Sequence, residues 1–442
     1  MKRATIVAAL LAVLAACADE APRQVADLVL RGGRVVTVDS TRPEAEAVAV
    51  LGDRIMAVGS DAAIGDHVGD ETRVIDLDGR LVVPGFIEGH GHFMGVGEAQ
   101  LTLDLTGVGS WDEIVAMVEA AAAEAEPGEW VRGRGWHQER YEVPEDAVDR
   151  VMTHQRLSAV SPENPVVLTH ASGHAALVNA RAMALAGIDR DYRPPPGGEV
   201  VRDAAGEPTG LLRENAQDPV DAAYARSQED RTGEEREAQF RRVVELAGRE
   251  AVSKGVTTFH DAGVGFATLD GYRALAEAGE LPVRLYVMVR APNGELERRL
   301  PDYRWLDVGH FLTVRSIKKQ IDGALGSHGA WMLEPYADMS GSTGLVLEPV
   351  EEVERTAELA MEHGFQLNTH AIGDRGNREV LDIYQRAYDA HPEVADPRWR
   401  IEHAQHLHPA DIPRFGELGV IAAMQGVHAT SDAPWVPTRL GP

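Results

Sequence analysis

Four short runs in this chain carry metal-ligand side chains in or just past apolar, strand-like stretches, and together they restrict the fold more than any other feature. They are VVPGFIEGHGHF with His90 and His92, SIKKQIDGALGS with Lys318, FQLNTHAIGD with His370, and WRIEHAQ with His403. Residues so far apart in sequence meet at one site when each ends a strand of a parallel (β/α) barrel, whose active groups stand on the C-terminal rim. Period-two geometry points His90 and His92 to the same side, so one ion can be gripped by both. Gly89 and Gly91 keep the positions beside them small, and Pro84-Gly85 opposes a helix there. A lone HxH pair is weak evidence of a metal; the later segments give it weight.

The rest of the pattern agrees with an α/β barrel. Strands are predicted over 81–87, 256–260, 283–289, 314–321, 365–369, 400–402 and 420–424, with amphipathic helices between several of them. Phe240, Val243, Val244, Ala247 and Ala251 form one helical stripe that stops at Gly255; Val353, Ala357, Ala360 and Met361 form another that stops at Gly364. Before the barrel, 27–83 reads as a small all-β unit divided by Gly and Asp turns. The barrel occupies 84–442, interrupted over about 93–238 by an insertion too long to lack structure of its own. The insertion is expected to hold a helix from near Trp111 to Pro127-Gly128 and to cover the active mouth.

The N-terminus reads as a targeting segment. Lys2 and Arg3 precede an apolar stretch over 4–16 that is too short to span a bilayer. Its LAAC ending resembles the lipobox of bacterial lipoproteins, in which Cys17 would be lipidated; an ordinary leader with an incidental cysteine is the alternative. Cys17 is the sole cysteine, so the mature chain can form no internal disulfide. The expectation is an exported protein, anchored by lipid at the periplasmic face of a bacterial envelope. Lys plus Arg total 43 against 70 Asp plus Glu, a net charge of −27, which argues against nucleic acid or an anionic membrane surface as a partner.

His370 and His403 taken singly could each be a hydrogen-bonded structural histidine. Joined to His90 and His92 in a barrel pattern, they read as ligands. Lys318 can bind a metal only if CO2 carbamylates its amine; otherwise it is a buried lysine neutralising a carboxylate. Lys319 faces the opposite way under strand alternation.

The sequence is similar to the amidohydrolase superfamily, and within it to amidohydrolase family 3, which includes N-substituted formamide deformylase-like enzymes. The matching stretches are PGFIEGHGHF, SGHAALVNARAMALAGI, GVTTFHDAG, IKKQIDGALGS, THAIGD, RIEHAQ and MQGVHATSDAPW. The resemblance implies a small β-sandwich fused to a (β/α)8 TIM-like barrel with one or two divalent ions, zinc before others. It places His90 and His92 on the first-strand ligands, Lys318 on the fourth-strand lysine, and His370 and His403 on the fifth- and sixth-strand histidines. It also implies an aspartate after an eighth strand that takes the proton from the nucleophilic water. Ser431-Asp432 follows the seventh strand instead, where the family carries a similar non-catalytic pair, so Asp432 is not assigned that role. The last strand, the second half of the β-sandwich and the base are therefore expected to be missing from this chain.

The expected function is hydrolysis of carbon–nitrogen bonds in small non-peptide amides or formamides by metal-activated water. The alternative is a truncated, non-catalytic homologue with a vestigial metal site. A lipid-anchored solute-binding protein would show two lobes and no ligands at strand ends. His174 is a candidate substrate contact, with a backbone-capping loop histidine as its alternative. Asp322 is a candidate for orienting substrate or ligands, with a turn role as its alternative. His260 and Asp261 are candidates for the pocket mouth, and Trp130, Trp136 and Trp331 for an apolar pocket or for packing.

Overall fold

The computed structural model describes residues 24–304 and 306–441, so the leader and Cys17 lie outside the described residues. Two compact units divide after Phe86. The first holds two small sheets. One runs in the order Arg54–Gly59, Ala47–Leu51, Leu28–Arg31, Arg73–Asp76; the other runs Glu44–Ala45, Arg34–Val36, Leu81–Val82. Alternation buries Val29, Ala47 and Ala49 with Ala26 and Ile64 in a core of their own. Gly52, at φ +59° in the turn between Ala47–Leu51 and Arg54–Gly59, adopts a conformation that an L side chain resists.

The second unit contains the barrel sheet. Seven strands follow one another along it: Phe86–Gly91, Val256–Val264, Arg284–Val289, Leu312–Gln320, Gln366–Ala371, Arg400–His403 and Ile421–Ala423. The pairings from the second strand to the seventh are parallel. Leu306–Val308 adds an antiparallel pairing to the fourth. The fold is the TIM-like barrel that the sequence predicts. Its strands read as near-continuous apolar runs because both faces are covered, as in Leu285, Val287, Met288 and Val289.

The structure corrects one boundary. The strand expected over 81–87 is two strands, Leu81–Val82 and Phe86–Gly91, and they belong to different sheets. Pro84 between them lacks the N–H that a continuous ladder needs.

Helices pack on the barrel as the stripes require. Gly233–Ser253 starts with a capping box between Thr232 and Glu235 and buries Val243, Val244, Ala247 and Ala251. Val350–His363 ends at Gly364, whose φ of +70° makes the left-handed cap. Each fully buried Leu or Val on these faces contributes about 1.5–3 kcal/mol relative to exposure.

The insertion is a six-stranded sheet with its own core. Its order is Gly198–Arg202, Pro208–Glu214, Ala175–Val178, Val166–His170, Val131–Trp136, Leu103–Asp104. The helix Trp111–Glu124, N-capped by the Ser110 side chain, covers it. Trp136 is buried in this core, its indole N–H donating to the Leu168 carbonyl at 2.7 Å, and Trp130 packs on a separate apolar cluster of the insertion, against Tyr224. Trp331 packs on the barrel core under the Arg375 guanidinium. All three tryptophans make packing contacts.

Candidate active site

The C-terminal ends of four barrel strands supply most side chains of the site, and the insertion adds His174, just before the strand Ala175–Val178. His90 is the penultimate residue of the first strand, and His92 follows that strand at the start of the helix Phe93–Ala99. Lys318 lies near the end of the fourth, His370 near the end of the fifth, and His403 closes the sixth. Parallel pairing sets Gln320 beside His370, and Ala371 beside His403, so the ladder itself keeps these ends level.

The imidazoles meet. Ring centroids stand 5.9 Å apart for His90 and His92, 4.4 Å for His90 and His403, and 4.6 Å for His370 and His403. His174 from the insertion lies 5.1 Å from His370, and His428 lies 5.2 Å from His403. His403 has φ +75° and Ala404 φ +43°, a conformation costing about 1–3 kcal/mol at a non-glycine residue. Strain of this size persists only where the surroundings hold it.

Two of the rings are locked through Nδ1. The His90 Nδ1 is 2.5 Å from Glu402 Oε2, and the His403 Nδ1 is 2.6 Å from Gln425 Oε1. An acceptor at Nδ1 places the proton there and leaves Nε2 as a lone pair, the arrangement that metal-binding histidines use. Glu402 is fully buried and lies 2.6 Å from the Arg400 guanidinium, a close ion pair whose angles fall outside a hydrogen bond, so Oε1 has no hydrogen-bond donor. Arg400 also donates to the Gly89 carbonyl at 3.0 Å and to His260 Nδ1 at 3.4 Å.

Burial and nearby positive charge keep the histidines neutral. Desolvation, then Lys318 and Arg400, push His90 down to about 2. His92, His370 and His403 are all held well below the ordinary value, first by burial and then by charges that include Lys318. His92 keeps solvent-accessible surface although protein surrounds it, as a group in a concavity does. His370 Nε2 is sealed from solvent and has no hydrogen-bond partner; it lies 3.4 Å from Asp322 Oδ1 at an angle that makes no bond. Burial lowers Lys318 to about 8, and among the described residues its amine makes one long hydrogen bond, 3.4 Å, to the Ala262 carbonyl. Lys319 turns away, as alternation requires, to pair with Glu348 at 2.8 Å.

The donor set suits a divalent ion: neutral imidazoles, a sealed nitrogen without a partner, and a lysine with a lowered pKa. Among the described residues no three His, Cys, Asp or Glu side chains stand in a ready-made metal-holding arrangement. What the chain presents is a gathered set of nitrogen donors rather than a closed cage.

Asp322 is fully buried and accepts backbone N–H groups from Trp331, Ile372 and Gly373 at 2.8–3.0 Å. Burial pushes its carboxyl up to about 8 against those three donors. It ties the loop after the fourth strand to the end of the fifth, beside His370. Asp261 is also sealed, accepting from the Tyr272 hydroxyl and the Phe93 N–H, and is not at a mouth. Asp432 accepts from Gln405 Nε2 at 2.8 Å and lies after the seventh strand. Sequence reasoning missed Glu402, Arg400, Gln425, His428 and Glu214. Glu402 alone left a signal, since it sits next to His403 in a strand.

A model of the amidohydrolase family matches residues 73–442. The plant protein LONG AFTER FAR-RED 3 of Arabidopsis thaliana is 34% identical over 431 residues, covering 94% of this chain and 71% of that protein. An N-substituted formamide deformylase of Arthrobacter pascens is 28% identical over 410 residues, covering 90% of this chain and 72% of that one. Among solved structures, one described as an uncharacterized metal-dependent hydrolase from Pyrococcus furiosus superimposes with a TM-score of 0.68 at 24% identity, covering 94% of this chain and 80% of that one.

Proposed function

Because the chain belongs to the amidohydrolase family and is a hydrolase, we propose that it cleaves carbon–nitrogen bonds in small non-peptide amides, formamides included, with the help of a divalent metal. The observation that carries this reading is the gathering of the His90, His92, His370 and His403 rings from the ends of the first, fifth and sixth strands, with Nδ1 of two of them already locked. The name of the deformylase relative supports the bond type, and the description of the Pyrococcus structure supports the metal.

In this reading the four histidines and Lys318 hold one or two ions, zinc before others. A bound ion would lower the pKa of a water and polarise the substrate carbonyl. The chain's own residues set the stage for that chemistry. Glu402 and Gln425 fix the His90 and His403 rings, Arg400 holds Glu402, and Asp322 holds the backbone around His370. Lys318, with its amine lowered to about 8, has free base available near neutral pH; addition of CO2 with release of a proton would give a carbamate whose oxygens could help hold an ion. No described carboxylate is assigned as the proton acceptor.

The test is metal analysis of the purified protein together with hydrolysis of N-alkylformamides, followed by amine release. Stoichiometric zinc and chelator-sensitive release are expected. Metal-replete protein that cleaves esters but no amide would overturn the bond assignment. We also propose export and lipid anchoring through Cys17: the parent should fractionate with membranes and Cys17→Ser should not.

A further inference from the structure

His174 and Glu214 form a unit that the reading above does not use. His174 directly precedes the strand Ala175–Val178, and Glu214 ends the strand Pro208–Glu214. These strands are antiparallel with Ala175 opposite Arg213, so His174 and Glu214 are the next pair outward. The Glu214 N–H donates to the His174 carbonyl at 2.9 Å, and the side chains meet with Nδ1 2.6 Å from Oε2.

The surroundings are shaped to hold Glu214. Its side chain is 2% exposed. Oε1 accepts from the Ser327 hydroxyl at 3.2 Å and the Ala324 N–H at 3.3 Å. A Cβ on Gly323 or Gly329 would stand 2.0 or 2.2 Å from that oxygen, so both positions admit only glycine while Glu214 is there. Glu214 itself sits at φ +50° and ψ −129°, a conformation unusual for a residue with a side chain. A fold needing only a filled space would not require a strained residue and two cleared glycines.

The dyad faces the site. The His174 ring lies 5.1 Å from the His370 ring. With Oε2 accepting at Nδ1, the imidazole keeps its proton there and Nε2 is left as an acceptor. Nε2 has no hydrogen-bond partner among the described residues and is not among the sealed nitrogens. A fixed acceptor beside a site for amides has a natural complement, the N–H of the amide itself.

We propose that His174 accepts a hydrogen bond from the N–H of the substrate amide, with Glu214 positioning the ring and fixing its tautomer. The substrate class is then amides or formamides that carry an N–H, in preference to N,N-disubstituted amides and esters. This rests on the amide reading of the site. A site that supplies an acceptor to a substrate N–H rejects the analogue lacking it, because the acceptor is left unpaired.

The experiment compares N-hexylformamide with N-hexyl-N-methylformamide on the metal-replete parent, His174→Ala and Glu214→Gln. The parent should favour the N–H compound in kcat/KM at least about tenfold, and both variants should bring the ratio within about threefold with metal content unchanged. An equal ratio in the parent and in His174→Ala overturns the proposal. Side-chain ¹⁵N spectra give a readout apart from turnover. His174 should be the Nδ1–H tautomer, and its Nε2 resonance should move with the N–H compound and not with the N-methyl one. An Nε2–H tautomer, or equal movement with both, overturns the proposal. If the parent cleaves neither compound, the amide-hydrolase reading falls and the spectra still decide the role of His174.

Discussion

The barrel rim and the inserted sheet both bring imidazoles to one site, and they do so by different devices. On the rim, His370 and His403 stand at the ends of adjacent parallel strands whose ladder keeps them level, and His90 stands at the end of the first strand. In the insertion, His174 owes its place to an antiparallel pairing with a strand some forty residues later and to a strained glutamate. In the proposed reading the rim gathers donors for a cation, while the insertion fixes one tautomer of one ring. That reading gives metal retention to the rim and substrate choice to the insertion.

The largest effect should come from breaking the rim. His90→Ala or His403→Ala removes a neutral nitrogen donor and the contact between the two rings. Loss of bound metal, and with it of several kcal/mol of transition-state stabilisation, should cost about 10³-fold or more in kcat/KM. Metal analysis alongside the kinetics checks this. His174→Ala should leave the metal in place; loss of metal from that variant would erase the division between the two regions.

The next effect concerns how dry the barrel is. Asp261 is buried, and desolvation raises its carboxyl to about 6 despite bonds from Tyr272 and Phe93. The folded state then keeps a proton that the unfolded chain releases near 3.8, so stability falls as pH rises between these values. Two pKa units correspond to about 3 kcal/mol. Asp261→Asn keeps a neutral acceptor and has no such fall. Its unfolding free energy should gain on the parent from pH 4 to pH 6 and hold the gain above that. A difference that stays constant across this range would show that the carboxyl is not raised.

Much of the rim was legible in the sequence, and little of the insertion's contribution. Apolar strands flanked by helices, with histidines at their ends, announce a barrel because period-two alternation and rim geometry are local rules. Pro84 hid a boundary, since two short strands separated by Val83, Pro84 and Gly85 look like a single apolar run. Glu214 left no trace: it lies in a stretch, PTGLLRE, that reads as an ordinary buried strand, and its role depends on register with Ala175. Gln425 and Arg400 were equally silent, because a polar residue beside a strand has many uses and only the third dimension selects one.

The two glycines beside Glu214 sharpen the insertion side. Gly323→Ala places a methyl against Oε1 and forces the carboxylate off His174. Overpacking of this kind costs about 1–3 kcal/mol. Urea unfolding should show that loss, and the preference for N–H amides should fall while metal content stays. Gly233→Ala, at a helical position with nothing within 4 Å of the added carbon, is the control and should not destabilise.

The smallest expected effect tests whether the rim's order lies in its ligands or in what holds them. Glu402 touches no substrate in this reading; it anchors His90 through Nδ1 and is itself set by Arg400. Glu402→Gln retains the shape and an oxygen that can accept from Nδ1–H, and removes the charge that makes the imidazole a better donor to a cation. Loss of such a partner weakens metal affinity by about 10–100-fold, and because one acceptor survives, the lower figure is expected. Competition with a chelator of known affinity measures it. A shift of about tenfold, with kcat/KM recovered at saturating zinc, would place Glu402 behind the ligand. An activity loss that excess metal does not restore would instead give Glu402 a part in the reaction, and the rim would be more than a holder for the ion.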